Sequence, residues 1–171
     1  MRLTNTKYNF RILTKQLAVS LIFVFTLLNN AKAQEDPPRP ITATTIQNIS
    51  FGTFYQGATG GSVTILSSGT RLQGGSVVLL FGSYSPAVFE ITGNPGTVIS
   101  FLKPLSTLSD GSGHSMDLQI DDTNPSTPFV LTNNYPVPTQ VTMGGILTVF
   151  SPALNPPGTY NGTFAITFVK E

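Results

Sequence analysis

The sequence holds no cysteine, a single histidine and few charged side chains, 10% of its 171 residues. Each shortage excludes something. Without cysteine there is no disulfide framework and no lipid attached through a cysteine behind a leader. Stability must come from packing and from ladder hydrogen bonds. Long apolar runs are equally scarce. The longest, Leu17–Leu28, stops at Asn29 after twelve residues, short of the roughly 20 that a membrane-spanning helix needs.

That run has the setting of a secretory leader. Arg2, Lys7, Arg11 and Lys15 precede it, and Ala31-Lys32-Ala33 follows as a small-x-small cleavage site. Residues 1–33 are therefore expected to be a cleavable signal peptide, leaving a chain that starts at Gln34 and has no membrane span. Five of the nine basic residues leave with it. Arg39, Arg71, Lys103 and Lys170 then face all eight acids, a net charge of −4 in place of the +1 of the full sequence. A sparsely charged, mildly acidic domain has no electrostatic footprint for phosphate backbones, so nucleic acid is not an expected partner.

The 138 residues after Ala33 contain all sixteen glycines and all thirteen prolines. One domain of this size buries enough surface for a core without cross-links. Residues 34–40, Gln-Glu-Asp-Pro-Pro-Arg-Pro, read as an extended solvated tether, and 41–171 as the domain. Short alternating segments bounded by turn residues recur throughout it. Among them are Ile49-Ser50-Phe51, Ser62-Val63-Thr64-Ile65, Val88-Phe89-Glu90-Ile91, Val98-Ile99-Ser100-Phe101 and Met116-Asp117-Leu118-Gln119-Ile120. The pattern predicts eight to ten strands and no helix, an all-β two-sheet sandwich. Ser76–Phe81 is nearly continuous in apolar residues and suggests a central strand.

The last segment is the most informative. After the Pro156-Pro157-Gly158 turn, Tyr160, Gly162, Phe164, Ile166 and Phe168 share one parity. Thr159, Asn161, Thr163, Ala165 and Thr167 share the other. Successive strand side chains alternate between faces, so a strand with one aromatic and aliphatic face is expected, covered from that side.

Four pieces in order carry a resemblance: Ile49–Phe54; Gly60–Ile65 with Gly69-Thr70-Arg71; Pro86–Gly93; and Pro157–Phe164. Together they resemble the bacterial domain of unknown function family 4402, over roughly Ile41 to Val169. That family is similar to spore-coat-U-type and other fimbrial subunits. The resemblance implies an immunoglobulin-like antiparallel sandwich that is exported to the periplasm, cell surface or extracellular space. It also implies a Gly-x-Tyr turn, here Gly158 to Tyr160, opening a terminal strand that a periplasmic chaperone reads. No catalytic residue and no cofactor comes with it.

The residues themselves offer little chemistry. His114 sits in Asp110-Gly111-Ser112-Gly113-His114-Ser115, a solvated loop. A triad from Ser112 or Ser115 with Asp117 lacks the strand-turn-helix elbow that would support it. Asp121-Asp122-Thr123-Asn124, with Asp110 and Asp117, offers oxygens for calcium but not the spacing of a dedicated loop. Turn capping is the better reading. No enzyme, metal or cofactor is expected.

Two functions are. The first is a structural or adhesive surface subunit that self-associates by strand addition, with Ile41, Ala43 and Thr45 as donor residues. The alternative is a monomeric secreted module that binds a glycan or another surface ligand through end loops carrying Tyr84 and Tyr135. If the terminal strand is packed as its pattern says, Phe164→Ala costs roughly 3–5 kcal/mol and Thr163→Ala on the opposite face costs little. Urea unfolding of the two variants checks this, and equal small losses would contradict it.

Overall fold

The computed structural model describes residues 39–171, so the leader expected at 1–33 and most of the proline-rich segment lie outside the described residues. Among the described residues are ten strands and no helix. They are β1 (Thr42–Gln47), β2 (Phe54–Ile65), β3 (Arg71–Leu79), β4 (Ala87–Thr92), β5 (Val98–Phe101), β6 (Leu105–Ser109), β7 (Ser115–Asn124), β8 (Phe129–Val130), β9 (Thr139–Val149) and β10 (Phe168–Lys170). All pairings are antiparallel.

The strands form two sheets, one of seven strands and one of three, ordered β10-β5-β8. Strand β9 organises the larger sheet. One of its edges pairs with β7 from Thr142 to Thr148. Its other edge pairs with β4 over Thr139–Met143 and with β2 over Gly145–Val149. Strand β1 extends the sheet beyond β4, β3 beyond β2, and β6 beyond β7. The change of partner falls at Gly144, where the main chain of Ile65 and Leu66 crosses so closely that a Cβ would run into the Ile65 carbonyl.

Strict alternation fills the space between the sheets. Ala87, Phe89 and Ile91 of β4 point inward, as do Met116, Leu118 and Ile120 of β7, and Val141, Met143, Leu147 and Val149 of β9. Ile99, Phe101, Phe129 and Leu131 meet them from the smaller sheet and its β8 extension. Phe168 ties the two sheets together. Its ring lies edge-on to Phe89 at 5.7 Å and to Phe101 at 5.6 Å, the geometry aromatic quadrupoles favour. The result is an all-β, sandwich-like fold, and residues Pro38–Glu171 form one compact unit.

Two local readings change. The apolar run Ser76–Phe81 is not a central strand, because β3 lies at the sheet edge. Only Val77 of that run is buried, while Val78, Leu80 and Phe81 face outward. An apolar run looks the same at an edge as in the middle, and partner count decides which it is. The terminal segment keeps its alternation, with Tyr160, Phe164, Ile166 and Phe168 packed on the core. Yet it joins a ladder only at β10, and its inward rings are half-buried. Half-burial reduces the expected cost of Phe164→Ala to about 1–2 kcal/mol.

Gly144→Ala must push apart the strands that meet at the switch of partner and should lose about 1–3 kcal/mol. Gly158→Ala, where an added Cβ meets nothing closer than 3.9 Å, should change stability little. Thermal and urea unfolding distinguish the two. Tolerance of alanine at Gly144 would show that this close approach is not required.

Candidate functional site

The Pro156-Pro157-Gly158 turn brings the chain back along β6. There Asn161 and Ser109 exchange main-chain hydrogen bonds at 2.8 and 2.9 Å, and Ser106 Oγ donates to the Thr163 carbonyl at 2.8 Å. Gly162 allows this contact, since a Cβ would strike the Thr107 carbonyl. Gly158 and Tyr160 close the turn, the Tyr160 hydroxyl donating to the Pro156 carbonyl at 2.9 Å. Desolvation, and then the negative charge of Asp110, push the Tyr160 phenol above its usual range, so it stays protonated and keeps that donor.

From Asn161 onward the segment has one edge toward β6 and the other toward an open groove of about 740 Å³. Residues 156–164 form one rim and residues 45–56 the other. Phe89, Leu108, Met116, Leu118 and Leu147 lie between them, so the floor is the apolar core itself. Along the second rim, Ser50 pairs with Ser85 and the Thr53 carbonyl accepts from Leu80 N–H. Among the described residues, Gly162–Thr167 pair with no other stretch of main chain, and the Thr163 carbonyl is met only by the Ser106 hydroxyl. Main-chain donors and acceptors are normally paired in ladders. Here a stretch of chain beside an apolar trough joins no ladder.

Asn155 holds the start of that rim, and sequence reasoning missed it. The residue is fully buried. Its Oδ1 accepts from Phe150 N–H at 2.7 Å, and its Nδ2 donates to the carbonyls of Ser115 at 2.8 Å and Leu154 at 3.0 Å. Gln56 Nε2 donates to its own carbonyl. One side chain thus joins the end of β9 to the beginning of β7, and through Gln56 to β2. An asparagine before Pro-Pro reads as an ordinary turn residue, and only its burial distinguishes it.

The other candidate residues fall in separate places. Ala43 and Thr45 lie in β1, opposite Ile91 and Phe89 of this chain's own β4. All six β1 side chains are exposed, and Ile41 lies just before them, half-buried. Tyr84 precedes β4 and Tyr135 precedes β9. Because β4 and β9 are antiparallel, the two rings sit at opposite ends of that ladder. Each lies beneath a guanidinium, Arg71 over Tyr84 at 5.3 Å and Arg39 over Tyr135 at 4.5 Å. Arg71 also donates to the Thr53 carbonyl at 2.6 Å and the Leu80 carbonyl at 3.0 Å, which pins the loop carrying Tyr84.

His114 does not engage Asp117. Its Nδ1 lies 2.6 Å from Asp110 Oδ2, while the Asp110 Oδ1 accepts from the amides of Ser112 and His114. The His114 ring first, and the Ser112 amide next, hold the Asp110 carboxyl below its usual range. The acids of residues 121–124 are also engaged locally. Asp122 accepts from Ser67 N–H at 2.6 Å and Asp121 pairs with Lys103 at 3.6 Å. Among the described residues, no three His, Cys, Asp or Glu side chains converge as a metal site would require. No described helix is long and apolar enough to cross a membrane.

Fold and groove together define an all-β, two-sheet protein with a large groove whose rims are extended main chain and whose floor is apolar. The chain belongs to the family described as domain of unknown function 4402, whose model matches residues 41–169. No curated protein and no solved structure matches it.

Replacing Asn155 by alanine strands the Phe150 amide and the Ser115 carbonyl and should cost about 2–4 kcal/mol. Leu154→Ala, one residue earlier and 61% exposed, should stay within about 0.5 kcal/mol of the parent. Denaturant midpoints compare them, and equal losses would remove the role assigned to Asn155.

Proposed function

We propose that this protein is an exported, non-catalytic subunit of the cell surface, structural or adhesive, which associates by β-strand addition. The observation that carries the reading is the groove: an apolar trough beside a terminal segment whose main chain is left without ladder partners. An added strand would supply main-chain hydrogen bonds to the rim, and its alternate side chains would cover Phe89, Leu108 and Met116. Burial of that kind contributes roughly 25 cal/mol per Å² of apolar surface.

The finer features belong to the same reading. They are a signal peptide over residues 1–33, an immunoglobulin-like sandwich and kinship with spore-coat-U-type and fimbrial subunits. The donor is the segment around Ile41, Ala43 and Thr45 of a second copy. In its own chain that segment buries none of the six β1 side chains and is held by one edge to β4, so its release sacrifices little packing. A periplasmic chaperone would occupy the groove before assembly. The alternative, a monomeric module binding a glycan or other surface ligand through Tyr84 and Tyr135, is weaker because those rings lie at opposite ends of the β4–β9 ladder.

Sedimentation and electron microscopy of residues 34–171 and of residues 48–171 test the proposal. Assemblies are expected from the first and monomers from the second. A strict monomer in both would overturn strand addition.

A further inference from the structure

Away from the groove, the outer face of the larger sheet carries a second concavity, of about 640 Å³, over the β6–β7–β9 ladder. We infer that this face is a binding site for a neutral saccharide. The register builds it. Thr107 lies opposite Asp117, and Asp117 opposite Thr148, so two hydroxyls flank one carboxylate in a row across three strands. The next row sets Leu105 opposite Gln119 and Gln119 opposite Ile146. Adjacent strands are about 4.8 Å apart, so neighbouring members of a row span the width of a pyranose ring.

The chemistry of the rows selects the ligand. A carboxylate only accepts, and its two oxygens suit a pair of vicinal hydroxyls. Threonine hydroxyls and the glutamine amide both donate and accept, so they fit groups that do the same. Among the described residues, the side chains of Thr107, Asp117, Gln119 and Thr148 take no intramolecular hydrogen bond or ion pair, which leaves their capacity unspent. Leu105 is 79% exposed, and with Ile146 it offers an apolar surface for the C–H face of the sugar.

Charge narrows the choice. The next acid on the same parity, Asp121, pairs with Lys103 at 3.6 Å, so Asp117 is the one carboxylate of the site. A single carboxylate is too little for a divalent cation and repels phosphate or uronate. An uncharged polyol meets neither obstacle. This inference does not depend on strand addition, since Leu118 alone among the residues lining this concavity also lines the groove.

The test uses the intact protein and three probes, the methyl pyranosides of glucose, galactose and mannose, titrated with saturation-transfer and chemical-shift measurements. At least one should bind saturably in the millimolar range. Asp117→Asn and Gln119→Ala should each weaken that binding by about tenfold, the loss expected when one charge-assisted or neutral hydrogen-bond set is removed. Tyr84→Ala should leave it unchanged, and none of the three substitutions should change the sedimentation of the protein. Circular dichroism and melting temperature confirm that the variants are folded. Absence of saturable binding to all three probes, or binding indifferent to both Asp117→Asn and Gln119→Ala, would overturn the inference.

Discussion

Strand β9 has to satisfy three neighbours with two edges. Strand β7 takes one edge from Thr142 to Thr148, and β4 and β2 divide the other at Gly144. Everything else follows from that division. Residues 45–56 become one wall and residues 156–164 the other. Side chains large enough to seal the gap would have to come from a strand that the described residues do not place there.

The core beneath that opening is well built for a protein without cross-links. Twelve side chains, from Val63 to Val149, are essentially inaccessible, and Phe168 locks one sheet to the other through two edge-on ring contacts. Asn155 shows how polar groups are handled where the apolar layer thins. It is wholly buried, and each of its polar atoms has a partner, which makes a buried amide an asset rather than a penalty. The terminal segment is the looser part. Its rings rest on the core, but residues 162–167 join no ladder. Few ladder bonds and half-buried side chains mark a segment of low local stability, the kind from which binding elements are drawn.

Two faces of the molecule thus offer different chemistries. The groove offers apolar surface and free main-chain groups, which any extended chain of suitable pattern can use. The outer face of β6, β7 and β9 offers side-chain hydroxyl, amide and carboxylate groups in fixed register, which demand a ligand of matching stereochemistry.

The class of fold was legible in the amino-acid sequence because alternation is a local property. Ala87–Thr92, Ser115–Ile120 and Tyr160–Phe168 each state which side chains share a face. What local pattern does not encode is how many partners a strand acquires. Ser76–Phe81 reads as a centre and lies at an edge, the terminal segment reads as a ladder strand and pairs only at its end, and Asn155 reads as a turn residue and proves to be a buried pin. Partner number, groove and burial arise from contacts between residues far apart in the chain, and these depend on the whole set of strands packing at once. Sequence determined which face of each strand turns inward, and tertiary structure alone decided which edges were left open.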